Sequence, residues 1–231
     1  MKRIGIIFPM VEELDAIRKY LTISNEKNIY ELKFIEGKIN NTECILVQSG
    51  VGNVNAARTT QLLIHNYQVD YIFNVGVAGG IDESLNVLDI VIGDRLVQHD
   101  FDITAFDHEK GYIPNTGVYI EADKNLTLLA KQAIKSTESC QVRLGTIASG
   151  DIFCTAPKMT KKINSKFNAL CVEMESASIA QVCYLCKVPF LIIRSISDVP
   201  NNNNAITYVE FLDESSKIIA DALNNLLGKI D

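Results

Sequence analysis

Tyr71-Ile72-Phe73-Asn74-Val75-Gly76-Val77-Ala78-Gly79-Gly80 is the stretch that decides the fold. A mostly apolar run, Tyr71–Val75, leads straight into glycine-rich sequence. A run this short, without polar alternation and stopped by glycine, reads as a strand buried on both faces. Similar runs recur at Ile4–Phe8, Cys44–Gln48, Ile90–Ile92, Val142–Ala148, Leu170–Val172 and Phe190–Ile196. Between them lie stretches with helical spacing. Glu12–Leu21 places Leu14, Ile17 and Leu21 three and four apart, and Asn53–His65 opens with a possible cap and carries Ala56, Ala57, Thr60, Leu63 and Ile64 on one side. Ala177–Cys186 is an apolar helical stretch, and Val209–Leu227 shows Leu212, Ile219, Leu223 and Leu226 on one face. Strands alternating with helices predict an α/β chain, a single three-layer αβα domain over residues 1–231 with a largely parallel or mixed central sheet.

Length and composition agree with one globular domain. The chain has 231 residues, 47% apolar and 22% charged, with no Pro/Gly/Ser linker; its one low-complexity tract is Asn201–Asn204. Its net charge of −6, from 28 acidic and 22 basic residues, argues against broad electrostatic binding to nucleic acid or anionic membrane. No apolar run approaches the ~20 residues that span a bilayer. The opening Met1–Met10 has too short an apolar core for a signal peptide, and Glu12, Glu13 and Asp15 follow at once. The six cysteines are therefore expected to be reduced, in the cytoplasm. Cys183 and Cys186 form a C-x-x-C inside an apolar helical stretch with no second ligand pair, which reads as core. His65, His99 and His108 are dispersed, so no metal site is expected.

In sheets of this kind ligands bind beyond the carboxyl ends of the strands. Four of five such ends carry carboxylates: Glu12 and Glu13, Asp151, Glu173 and Glu175, and Asp198. That convergence is the main functional signal in the residues themselves. Each part also has a plainer reading. Gly76–Gly80 is neither a P-loop nor G-x-G-x-x-G; it is either a turn where backbone meets a ligand or a simple strand exit. Glu12 and Glu13 suit a helix start. Glu173 and Glu175 share a face if the strand continues through them, or cap a helix if it does not. Ser197-Asp198 could form a turn, and Phe153 and Tyr208 could be core. The run Asp100–Asp107 looks like a loop carrying apolar anchors such as Phe106.

Taken together, these segments resemble the 5′-methylthioadenosine/S-adenosylhomocysteine nucleosidases of the nucleoside phosphorylase-like superfamily. The resemblance spans nearly the whole chain: Ile4-Gly5-Ile6-Ile7 with Met10 and Glu13; Ser49-Gly50-Val51-Gly52; Asn74 to Gly80; Asp102 to Phe106; Ser149-Gly150-Asp151; Val172-Glu173-Met174-Glu175; and Arg194-Ser195-Ile196-Ser197-Asp198. It implies hydrolysis of the N-glycosidic bond of adenine nucleosides bearing a 5′-thioether, without cofactor or metal. By matching position, it implies that Asp198, helped by Ser197, protonates adenine, and that Glu13 takes a proton from the attacking water. It further implies that Glu175 binds the ribose hydroxyls with Met174 against the sugar, and that Arg194 orients the carboxylates. Phe153 would stack on adenine, the Cys154 backbone would read its edge, Gly79 would meet substrate, Tyr208 would cover the site and Met10 would line the thioether side. Val51, Ile103, Phe106 and Pro114 match positions contributed across a homodimer interface.

The sequence departs from the family pattern at Val77, where serine is usual, and at Phe8-Pro9, where Gly-Ala is usual and the change adds bulk beside the site. Cys154 stands for isoleucine and Tyr208 for phenylalanine. Rival readings are a futalosine-type nucleosidase, a purine nucleoside phosphorylase and a non-catalytic nucleoside-binding protein. A phosphorylase of the hexameric type would carry arginine and a hydroxyl where Asn74 and Val77 stand.

Overall fold

Alternate residues of each central strand point to opposite faces of the sheet, and both faces are covered. Strand β1 (Arg3–Phe8) sends Ile4, Ile6 and Phe8 into one core and Ile7 into the other. This is why its sequence runs apolar without alternation. The computed structural model describes residues 2–137, 140–199 and 204–230, with side chains of the last segment described from 207. Pro200 and most of the asparagine run Asn201–Asn204 lie outside the described residues.

After β1 come α1 (Val11–Arg18), the strands β2 (Thr22–Ile29), β3 (Leu32–Ile39) and β4 (Thr42–Gln48), α2 (Asn53–Tyr67), β5 (Tyr71–Gly80) and β6 (Ile90–Gln98). A 3₁₀ turn at Thr104–Phe106, β7 (Ile120–Glu121), α3 (Lys124–Ala133), β8 (Val142–Ser149), α4 (Pro157–Phe167), β9 (Ala169–Glu173), α5 (Ser176–Cys186), β10 (Phe190–Asp198) and α6 (Asn204–Leu227) complete the order. Helices α1, α3 and α6 pack with Leu14, Ile17, Leu126, Ala130, Ile219 and Leu223 on one face of the sheet. Helices α2 and α5 cover the other face with Ala56, Leu63, Ala177, Ile179 and Cys183. The mixed sheet between helical layers is the architecture expected from the sequence.

The sheet order is β10-β6-β8-β9-β5-β1-β4-β3-β2, with β7 beside β6 and a further pairing of β10 with β5. That extra pairing closes β5, β10, β6, β8 and β9 into a ring, which the strand runs alone did not foretell. Strands β2 and β3 were also not legible as buried runs. β2 is exposed at all but its last residue, and the buried positions of β3, with Phe34 and Ile35 in opposite cores, are interrupted by the exposed Lys33 and Lys38.

Three local readings change. Gly76–Gly80 is neither turn nor exit, because β5 continues through it, pairing Gly76 with Arg194 and Gly79 with Asp198 on β10. The glycines serve close approach. A Cβ on Gly76 would stand 2.6 Å from Arg194 Nη1 and 2.7 Å from Glu13 Oε1, and one on Gly79 would stand 3.3 Å from Asp198 Oδ2. Ser197-Asp198 ends β10 in a register irregularity rather than forming a separate turn. Phe8 is buried in the core beneath α1, so only Pro9 adds bulk at the site.

Gly76→Ala must push apart two buried charged side chains. Overpacking of this kind costs about 1–3 kcal/mol. Urea denaturation of this variant is expected to show a loss in that range, and unchanged stability would contradict the close approach.

Candidate active site

The C-terminal ends of β1, β5, β9 and β10 open on one cleft. Met10, Glu13, Val51, Gly79, Phe153, Met174, Glu175, Ser197, Asp198 and Tyr208 line it, together with Val77 and Glu173. Of the residues named from the sequence, Arg194 lies behind this lining. Cys154, Ile103, Phe106 and Pro114 are not part of it. Asp151, at another strand end, is exposed and accepts the backbone N–H of Asn53 at 2.9 Å. Asn53 is therefore the first residue of α2 rather than its cap, and Asp151 satisfies its free amide.

Arg194 is fully buried on β10. Its Nη2 donates to Glu173 Oε2 at 2.6 Å, to Ser176 Oγ at 2.9 Å and to Asn74 Oδ1, and lies 3.8 Å from Glu175 Oε2. Nε and Nη1 have no hydrogen-bond partner among the described residues. Nη1 faces the same small space above Gly76 as Glu13 Oε1. The guanidinium thus uses one nitrogen for anchoring and keeps another toward the reaction space.

Glu173 takes the anchoring role opposite it. Besides Arg194, it accepts from Ser149 Oγ, from Ser176 Oγ at 2.8 Å, and from the backbone N–H groups of Ser176 at 2.9 Å and Glu175 at 3.1 Å. Strand β9 stops at Glu173 and α5 starts after Glu175, so the two glutamates do not share a strand face. Glu173 caps the helix, and the tight turn brings Glu175 round to the same guanidinium. Burial opposes ionisation of Glu173, but the Arg194 charge and these donors hold its carboxyl below the ordinary value. The sequence marked Glu173 only as part of the E-M-E segment. Its side-chain partners Ser149, Ser176 and Arg194 lie on three different elements, so only the Glu173–Glu175 spacing hinted at the role.

Glu13 sits in the first turn of α1. Its Oε2 accepts the Met10 N–H and its Oε1 the Val77 N–H, both at 2.9 Å. The Val77 backbone therefore contributes to the site whatever its side chain. Burial pushes the Glu13 carboxyl up to about 7, against the pull of Arg194. Glu175 Oε1 accepts the Gly52 N–H at 2.9 Å. Burial, and next the neighbouring Glu173 charge, raise its carboxyl to about 8. Two acidic groups that titrate near neutrality in one cleft mark a functional site.

At the other end Asp198 is buried, and its Oδ1 accepts from Ser197 Oγ at 2.8 Å. Tyr208 on α6 donates its hydroxyl to Met10 Sδ at 2.9 Å and meets Phe153 edge-on, ring centroids 5.6 Å apart. Burial holds the Tyr208 hydroxyl protonated, well above the usual phenol range. Phe153 leaves 46% of its surface open, so it is an available apolar face rather than core. Cys154, one residue on, is buried, and burial pushes its thiol up to about 11. All six cysteines are unbridged; Cys183 is core, while Cys186 of the same C-x-x-C is exposed. Among the described residues no group of His, Cys, Asp and Glu is arranged to hold a metal ion.

Known proteins share both sequence and shape with this chain. The family model of the phosphorylase superfamily matches residues 3–228. The 5′-methylthioadenosine/S-adenosylhomocysteine nucleosidase of Geobacillus sp. (strain WCH70) is 39% identical over 229 residues, 99% of either chain. A mutant of the Helicobacter pylori nucleosidase MTAN, solved with 5′-methylthioadenosine in its active site, superposes with a TM-score of 0.95 at 33% identity, covering 100% of both chains. A mutant futalosine hydrolase of Helicobacter pylori strain 26695 superposes with a TM-score of 0.94 at 32% identity over the same extent. With matches of this identity along its whole length, the chain belongs to the 5′-methylthioadenosine/S-adenosylhomocysteine nucleosidase family of the phosphorylase superfamily.

Proposed function

We propose that the protein hydrolyses the N-glycosidic bond of 5′-methylthioadenosine and S-adenosylhomocysteine, releasing adenine and the thioribose. The observation that carries this reading is one cleft in which Glu13, Glu175 and Asp198 are all buried yet line the open space. Adenine leaves poorly unless N7 is protonated, and the ribose becomes cation-like as the bond breaks. Asp198, steadied by Ser197, delivers the proton to N7. The C1′–N9 bond breaks with its electron pair going to adenine. Water forms the new C1′–O bond and gives its proton to Glu13. This parallels glycosidases that invert configuration with an acid and a base.

Arg194 Nη1 and Glu13 Oε1 share the space where that water would be held. Glu175 receives the ribose hydroxyls, with Met174 against the sugar. Phe153 stacks on adenine and the Cys154 backbone reads its edge. Tyr208 closes the cleft over Met10, which faces the thioether. The reading needs no cofactor or metal.

Water is favoured over phosphate because Asn74 is committed to structure. Its Nδ2 donates to the Ile7 carbonyl at 3.0 Å and its Oδ1 accepts from Arg194 and Ser176. Val77 offers only an apolar side chain to the cleft. The fold shared with the futalosine hydrolase favours one second reading, a nucleosidase acting on a futalosine-type substrate with the same base and ribose machinery.

The site is completed in a homodimer. Phe106 is 75% exposed and Val51 47%, and Pro114 is exposed, although all are apolar. Exposed apolar groups are stabilised by burial against a twofold partner. The partner's loop then caps the sulfur substituent. No described helix is long and apolar enough to cross a membrane. We place the enzyme in the cytoplasm, with small nucleosides rather than nucleic acid or membrane as its partners.

Adenine release from methylthioadenosine tests the reading. The expected result is adenine plus free methylthioribose without phosphate. Glu13→Gln and Asp198→Asn are each expected to lower kcat by ~10²–10⁴ while leaving the fold intact, the usual cost of losing a general acid or base. Because Glu13 must be ionised, kcat/KM should rise as pH passes through about 7. A strict phosphate requirement would assign a phosphorylase, binding without turnover a binding protein, and much faster turnover of aminodeoxyfutalosine the second reading.

Phe106→Asp is expected to weaken the dimer in sedimentation and to raise KM for methylthioadenosine by about tenfold or more, as loss of an apolar anchor does, with adenine affinity little changed. A fully active wild-type monomer would contradict the shared site.

A further inference from the structure

Glu173 is the one buried carboxylate of the cleft that the proposed reaction leaves without a task. It is held by Ser149, Ser176, two backbone N–H groups and Arg194, and none of these hydrogen bonds involves Glu13. Arg194 spends its Nη2 there and turns Nη1 toward the space shared with Glu13 Oε1. We infer that Glu173 is a positioning residue: it fixes the Arg194 guanidinium from behind and takes up most of its charge, so that Glu13 and Glu175 keep only a partial counter-charge. This rests on the nucleosidase reading, in which Glu13 exchanges a proton with water.

The charge count explains why such a residue is useful. Three carboxylates, Glu13, Glu173 and Glu175, share one buried cation. If Arg194 were free to pair with Glu13, that carboxylate would be too weak a base to take a proton from water. With Glu173 claiming the guanidinium at 2.6 Å, Glu175 is left 3.8 Å from it, and Glu13 has no contact within ion-pair distance. Glu13 is held instead by two neutral backbone N–H groups.

The other titratable groups around the cluster do not substitute for Arg194. Glu13 faces Glu12 on its own helix, Tyr208 from α6 and Glu175 from the start of α5. Glu173 faces Cys171 on β9, Glu175, and His99 just beyond β6. Asp198 acts on Tyr208 from β10. Burial keeps His99 below its ordinary value, so near neutrality Arg194 is the cation of the cluster.

The test compares Glu173→Gln with wild type in the pH dependence of kcat/KM for adenine release. A neutral, isosteric side chain returns the Arg194 charge to Glu13 and Glu175. The acidic limb should then move about one pH unit or more toward acid, the size of shift an opposite charge at close range produces. An unmoved limb with activity lowered equally at every pH would mean a structural cap only and would overturn the proposal. Asn74→Asp, also isosteric, adds a carboxylate beside Arg194 Nη2 and carries the test if Glu173→Gln does not fold. It should move the limb toward alkali, and an unmoved limb there overturns the proposal.

A second readout is independent of turnover. Carboxyls raised on folding add stability that is complete below their unfolded value of 4.5 and is lost as pH rises through about 7 and about 8. The fall of Tm over this range should flatten in Glu173→Gln, and an equal fall would speak against the inference. If wild type released no adenine, the nucleosidase reading would fail, while the Tm comparison would still decide the role of Glu173.

Discussion

The Arg194 guanidinium is wholly removed from water, and the arrangement of the cleft follows from satisfying it there. Burying one charge without a partner is prohibitive, and breaking a buried pair by removing one side costs about 3–5 kcal/mol. The chain meets this demand with Glu173 at 2.6 Å and with Asn74 and Ser176 on the same nitrogen. Each of these comes from a different element: β9, β5 and the start of α5. The register between β5 and β10 sets Gly76 beside Arg194, and only a residue without a side chain leaves room for Nη1 and Glu13 Oε1 together. A single ion pair thereby ties strand pairing, helix capping and the electrostatics of the site to one another.

The same pair separates the roles of chemically identical groups. Glu173 is kept ionised by donors on every side, whereas Glu13 and Glu175 are buried with fewer and weaker partners and stay close to neutral titration. Three glutamates within one buried cluster therefore behave differently because of where one guanidinium points. Pushing neighbouring carboxyls apart in this way is how one site holds both acid and base functions. The commitment of Asn74 to this scaffold also removes it from any role toward an incoming anion, which fits water as the proposed nucleophile.

Much of the layout could be read from the chain. Continuous apolar strands such as Ile4–Phe8 and Phe190–Ile196 are buried on both faces, and that property is written directly in their composition. Glu13, Glu175 and Asp198 stand out in the sequence as carboxylates at strand ends or helix starts, where α/β sheets bind ligands, and the family resemblance supplies the roles proposed for them. Other features depend on long-range pairing and leave no local trace. The closure of β10 on β5 is one, and the continuation of β5 through its glycines is another, since their need for glycine arises from side chains distant in sequence, Glu13 and Arg194 at Gly76 and Asp198 at Gly79. Glu173 was underrated for the same reason: its five donors come together only in the folded chain. The polar strand Thr22–Ile29 gave no signal because it buries almost nothing.

The central physical claim is that Arg194 belongs to Glu173 and leaves Glu13 a near-neutral base. Carboxyl ¹³C chemical shifts of glutamate, followed against pH in the wild-type protein and assigned with conservative glutamine variants, test it most directly. The expected result is a Glu13 resonance titrating near about 7, well above its ordinary 4.5, beside a Glu173 resonance that titrates below that ordinary value. A Glu13 carboxyl titrating in the ordinary range, or a Glu173 carboxyl taking up a proton near neutrality, would contradict it.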